Sequence, residues 1–264
     1  MNYRTSKLFA RLGIVAILAA GIFASASEEA LPPADQILDA YVEATGGRDA
    51  YDRISNRVTR GTMEIVGQGV TMDLTIYNAK AGKLYMIVES EATGRIEKGT
   101  DGKVVWENSA MMGPQIKEGQ ERSDFLREAA LDKYARWREV YGDAECVGAE
   151  SVDGNPAYKV NLTPKDGRPQ SLYFDQASKL LVKVDLTVEN PMGVIPVETY
   201  LRDYRKVDGL LLPYTARVVV MGQERLMTTE SIEQNVDLPE DRFGLPEEVR
   251  ALLDDEPSEA LQAG

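Results

Sequence analysis

The chain has 264 residues, with 43 acidic against 30 basic side chains, no histidine and a formal net charge of −13. That balance argues against a nucleic-acid partner, whose binding depends on Lys and Arg neutralising phosphates, and against tight adsorption to an anionic membrane. Without histidine, Ser–His–Asp and Cys–His catalysis are impossible and the commonest metal ligand is gone.

The N-terminus has the pattern of a targeting segment. Arg4, Lys7 and Arg11 precede an uncharged apolar run, Leu12 to Phe23, and then Ala24-Ser25-Ala26. A basic region, a short apolar stretch and an A-x-A site together predict a cleaved signal peptide over residues 1–26. No Cys follows the apolar run, so an exported, periplasmic and non-lipidated protein is expected. Cys146 is the single cysteine. An intramolecular disulfide is therefore excluded, and the residue reads as a small buried hydrophobe.

Asp35 opens a helix whose stripe is Ile37, Leu38, Tyr41 and Val42 and which Gly46-Gly47 ends. A second short turn over residues 48–54 follows. Then come alternating segments: residues 57–66, with Thr59, Gly61, Met63 and Ile65 on one face; Met72, Leu74 and Ile76; residues 83–89, with Leu84, Met86 and Val88; residues 93–98; and Val104-Val105-Trp106 after the Asp101-Gly102 turn. Residues 108–119 read as a loop containing Met111-Met112-Gly113-Pro114, and residues 121–141 as one helix.

Strands resume over residues 145–151, 157–162, 171–175 and 180–188, the last with Val182, Val184 and Leu186 in phase. A hairpin over residues 198–220 turns at Asp208-Gly209, and Pro213, lacking an N–H, should lie at an edge, a bulge or a strand entrance. A last strand covers residues 225–234, and a short helix covers residues 246–253. About eleven strands with helices from two places suggest a sheet curved around helices. No internal repeat or linker divides the chain, so the organisation expected is the signal peptide 1–26, one domain over 27–238, and a short helix with polar tail over 239–264.

No CxxC, HExxH, P-loop or EF-hand pattern is present, so no catalytic residue, metal or cofactor is called for. Acid pairs such as Asp254-Asp255 read as solvated surface.

Three stretches resemble a known family. Tyr200-Leu201-Arg202-Asp203-Tyr204-Arg205-Lys206-Val207-Asp208-Gly209-Leu210-Leu211-Leu212-Pro213 is similar to a hairpin of the outer-membrane lipoprotein-sorting proteins, the LolA/LolB-like superfamily. Asp101-Gly102-Lys103-Val104-Val105-Trp106 is similar to a second hairpin. Ser171-Leu172-Tyr173-Phe174-Asp175 with Lys179-Leu180-Leu181-Val182 is similar to a third, carrying Ser178-Lys179 where that pattern has Thr-Gly. The resemblance spans roughly residues 33–237. It implies a mainly β, α+β fold: a single curved antiparallel sheet, an incomplete β-barrel closed by helices over an apolar cavity, which in the carrier takes acyl chains through the periplasm.

The expectation is therefore a non-catalytic carrier or sensor binding a lipid or acylated ligand, with envelope lipoproteins or a membrane-bound protein as further partners. Met63, Met72, Leu74, Ile76, Met86, Trp106, Phe174, Leu201 and Tyr214 are the cavity candidates, and Met111 and Met112 candidates for a gate at its mouth. Methionine suits such a wall because it adapts to varied apolar shapes. The alternatives are an envelope protein-interaction module with a filled core, and an enzyme built on carboxylates or lysine.

Overall fold

Thirteen strands make one antiparallel sheet in the computed structural model, which describes residues 30–91, 94–165, 167–190 and 193–254. The strands are β1 (Asn56–Ile65), β2 (Val70–Ala79), β3 (Lys83–Ser90), β4 (Gly94–Thr100), β5 (Val105–Ser109), β6 (Gly113–Lys117), β7 (Tyr141–Val152), β8 (Asn155–Pro164), β9 (Gln170–Asp175), β10 (Leu181–Asn190), β11 (Gly193–Val207), β12 (Leu210–Val220) and β13 (Gln223–Gln234). The helices are α1 (Ala34–Ala44), α2 (Arg48–Asp52), α3 (Gly119–Ala129), α4 (Trp137–Val140) and α5 (Glu247–Asp254). Residues 1–26, read from the sequence as a signal peptide, and the residues beyond Asp254 lie outside the described residues.

The strand order is β6-β5-β4-β3-β2-β1-β13-β12-β11-β10-β9-β8-β7. The first and last strands in sequence meet in the middle, and β6 and β7 are left as edges, so the sheet is open. It is also strongly curved. α3 touches β3 and β5 on one side and β10 on the other. β3 and β10 are six steps apart in the order, about 29 Å across a flat sheet at ~4.8 Å per step. An 11-residue helix is only about 16 Å long at 1.5 Å per residue. One helix reaches both sides because the sheet curls around it.

Cross-strand register fixes the two faces. Leu162, Val160, Leu172, Val184, Leu201, Ala216, Met227, Met63, Met72 and Met86 follow one another in phase from β8 to β3. This is the inner face. Over β7–β10 it is covered by α1, α2 and the segment around α4, in a core that includes Leu38, Leu162, Leu172, Phe174 and Leu210. Arg138 fastens α4 to α1, with hydrogen bonds of 3.0 and 3.1 Å to the two oxygens of Asp39. The outer face carries a ladder of aromatic rings and cations: Lys183 lies over Tyr173 and Tyr200, and Arg217 over Tyr200.

Several sequence expectations change. The segment read as a loop, residues 108–119, holds the end of β5, a tight turn and β6. The segment read as one helix, residues 121–141, is broken: α3 ends at Ala129, α4 is a single turn, and Tyr141 already starts β7. A continuous helix turns about 100° per residue, which would place Ala135 and Trp137 on nearly opposite sides, yet both are buried. Val182 packs on the outer face with Tyr200, because a bulge between Leu181 and Lys183 shifts the phase of β10. Pro213 lies inside β12, opposite Tyr204, beside an unpaired step where Asp203 adopts φ 54°. That ladder defect is what tolerates a residue with no N–H.

Candidate functional site: an apolar trough and a half-buried arginine

Five sequence-predicted residues meet on β1–β3. Met63 stands opposite Met72 on β2 and opposite Met227 on β13, and Ile76 stands opposite Met86 on β3. Leu74 pairs with Val88 on one side and with Gly61 on the other. Gly61 cannot be replaced without movement, since a Cβ there would lie 2.1 Å from the Thr228 carbonyl oxygen, next to the β1–β13 bulge. Met72, Leu74 and Val88 are buried, whereas Met63, Ile65, Val70, Ile76, Met86 and Met227 are only half-buried around them. The result is an apolar trough on the concave face of the sheet, buried at its centre and half-buried at its margins.

An ionic ladder bounds this trough towards β6. Lys98 stands opposite Met86 and binds Glu107 at 3.0 Å. Lys117 binds Glu107 at 3.5 Å and Glu121 of α3 at 3.1 Å. The ladder ties the start of α3 to the sheet.

The other candidates are dispersed. Phe174 is part of the helix-covered core, its ring 5.4 Å from that of Tyr41, and Leu201 packs against the same core. Trp106 is on the outer face, in phase with Tyr85 and Tyr77, the Tyr85 and Trp106 rings 5.9 Å apart. It floors a groove that Leu245, Pro246 and Arg242 help to line. Tyr214 is buried, with the Arg205 guanidinium 4.4 Å over its ring. Met111 and Met112 occupy the β5–β6 turn, 90% and 66% exposed. Val66, Met221, Val188 and Val194 are also exposed, and they lie at or beside hairpin turns at the same end of the sheet, because turns of an antiparallel meander alternate ends.

Sequence reasoning assigned Arg57 no role. It is on β1, in phase with Thr59, Gly61 and Met63, and helps to line a cavity of about 200 Å³ with Tyr41, Tyr51, Tyr134, Leu201 and Tyr204. Its buried Nε has no hydrogen-bond partner. Burial lowers its pKa, opposed only by the Tyr51 and Tyr41 phenols. Desolvation likewise raises the pKa of Tyr41 and Tyr204, so these phenols stay protonated at neutral pH. The available signal was the phase: an arginine aligned with the inward residues of its strand. Among the described residues no group of three or more His, Cys, Asp or Glu is placed to hold a metal.

No family model matches the sequence, and no curated protein matches it. Solved structures do. A LolA superfamily protein from Nitrosomonas europaea superposes with a TM-score of 0.55 at 14% identity, over 81% of this chain and 98% of its own. The fold is LolA-like. A DUF1329 family protein from Desulfovibrio piger aligns with a TM-score of 0.56 at 16% identity, over 81% and 98% of the two chains. An outer-membrane lipoprotein-sorting protein domain from Vibrio parahaemolyticus aligns at 0.53 and 14% identity, over 80% and 97%. In this LolA-like chain the inner face divides into a helix-covered core over β7–β10 and the partly open trough over β13 and β1–β3.

Proposed function

We propose that this protein is an exported, non-catalytic carrier or sensor that holds a lipid or acylated ligand against the inner face of its sheet. The observation that carries the reading is the half-buried set Met63, Ile65, Ile76, Met86 and Met227, arranged around a fully packed floor. Contiguous half-exposed apolar surface on a concave face is the kind of patch that marks a binding site. Methionine lets one wall fit several acyl shapes. The lipoprotein-sorting relative supports the same class of ligand, and the sequence pattern of residues 1–26 supports a periplasmic location.

The exposed apolar side chains at one end, among them Met111, Met112 and Met221, favour a second reading, in which those hairpin ends dock on an envelope partner and the trough stays empty. One experiment separates the two. The mature protein, isolated from its own envelope, is weighed by native mass spectrometry and then titrated with a fluorescent hydrophobic dye. Co-purified lipid or saturable dye uptake supports the carrier. A protein that is empty and takes up no dye leaves the interaction module.

A further inference from the structure

Arg57 is difficult to explain as a structural residue. An arginine is usually buried against a carboxylate, because the guanidinium loses its hydration on leaving water. Here the cavity beside Arg57 presents phenols, apolar side chains and the cationic Lys133, and the groups that act on Arg57 are the phenols of Tyr51 and Tyr41, neutral at pH 7. Asp132 also lines the cavity, but it lies 3.9 Å from Arg136 and contributes nothing to Arg57. The guanidinium is thus a partly desolvated cation, its Nε buried, beside a void of about 200 Å³, room for roughly six waters at ~30 Å³ each.

Its position on the strand completes the argument. Residues at i, i+2 and i+4 line one face, so Arg57, Thr59, Gly61 and Met63 form a row leading from the cavity to the trough. Arg57 and Met63 are about 20 Å apart at ~3.4 Å per residue. Gly61 adds no side chain to that row.

We propose that Arg57 anchors the oxyanion head of a single-chain amphiphile, a long-chain carboxylate or an acyl phosphate ester, whose tail runs along β1 to Met63 and Met227. The inference rests on the carrier reading above and adds the head-group chemistry. The guanidinium fork matches carboxylate and phosphate oxygens with two parallel hydrogen bonds.

The test is displacement of a fluorescent fatty acid from the mature protein by palmitate, methyl palmitate and lysophosphatidate. Wild type should bind palmitate or lysophosphatidate at least tenfold more tightly than methyl palmitate, and the tighter of the two identifies the head as carboxylate or phosphate. Arg57→Gln should remove that preference and leave methyl palmitate affinity and the melting temperature unchanged, whereas Arg57→Lys should keep part of it. Equal binding of acid and ester by wild type, or a preference that survives in Arg57→Gln, overturns the anchor but leaves the carrier intact. Failure of all three amphiphiles to bind overturns both.

Discussion

Whether the trough is a ligand wall or an ordinary core can be decided by comparing Leu74→Asp with Met86→Asp. Leu74 is 5% exposed and surrounded by Met72, Val88 and their neighbours. Replacing it forfeits about 2 kcal/mol of apolar burial. The new carboxyl has no cation beside it in the register, and desolvation of about three pKa units adds about 4 kcal/mol. A total of about 6 kcal/mol is comparable to the whole stability of a domain, ~5–15 kcal/mol, and at about 3 °C per kcal/mol it lowers Tm by roughly 18 °C. The sign with pH is fixed. A carboxyl whose pKa is higher in the folded state loses stability as pH rises from the unfolded value, ~3.9, to the folded one, so Leu74→Asp should be less damaging at pH 4 than at pH 7. Met86 is half-buried and stands opposite Lys98, so an aspartate there reaches water and a counter-charge and should cost only about 1 kcal/mol. Thermal melts monitored by circular dichroism, together with dye titration, give the result. A folded Met86→Asp that has lost dye uptake supports the wall. If Met86→Asp melts as early as Leu74→Asp, or takes up dye like wild type, the reasoning fails.

Three further outcomes are expected. Gly61→Ala forces a Cβ into the Thr228 carbonyl and should destabilise by about 1–3 kcal/mol, read as a lower urea midpoint; an unchanged midpoint would show that the bulge can relax. Asp39 is held below the usual carboxylate pKa chiefly by its hydrogen bond from Arg138. A lowered pKa contributes stability above the unfolded value and loses it as pH falls through the folded one, so Arg138→Gln should cost up to about 1 kcal/mol at pH 7 and nothing once Asp39 is protonated. An equal loss at both pH values would contradict the assignment. Truncation after residue 238 removes Val249, which is fully buried, and uncovers Trp106, now 2% exposed. At ~1.5–3 kcal/mol per large apolar side chain it should lower stability by about 3–5 kcal/mol and red-shift the tryptophan emission. An unshifted spectrum would mean that residues 239–264 are a dispensable tail.

The parts of the fold that were legible are those where alternation is clean and local. Met63, Met72, Leu74 and Ile76 could be placed on one face because each alternates with less apolar neighbours, and Met86 from the Leu84, Met86, Val88 period despite the adjacent Ile87. The Asp208-Gly209 turn announced its hairpin. β6 was missed because Gly113-Pro114-Gln115-Ile116-Lys117 has only one large apolar residue, and its partner is Trp106 on the outer face. Trp106 itself was misdirected by the run Val104-Val105-Trp106, in which consecutive apolar residues leave the phase undefined; Val105 and Trp106 are both buried, on opposite faces. The pairing of β1 with β13 joins segments about 170 residues apart and leaves no local mark.

The same logic explains why Arg57 was given no role while its neighbours on the strand were placed on the inner face. A period-2 reading classes an arginine as solvent-facing by residue type and then discards its phase. Yet phase and type disagree at Arg57: it is aligned with Thr59, Gly61 and Met63, not with Arg60 and Glu64. Where local rules conflict in an otherwise consistent sequence, the conflict tends to fall at functional or strained sites. Arg60, on the opposite phase, binds the Glu233 carboxylate at 3.3 Å in an exposed pair and needs no further account. Arg57, three residues earlier, faces a cavity with an unpartnered Nε. Two arginines on one strand thus separate by phase alone into a surface ion pair and a candidate ligand anchor.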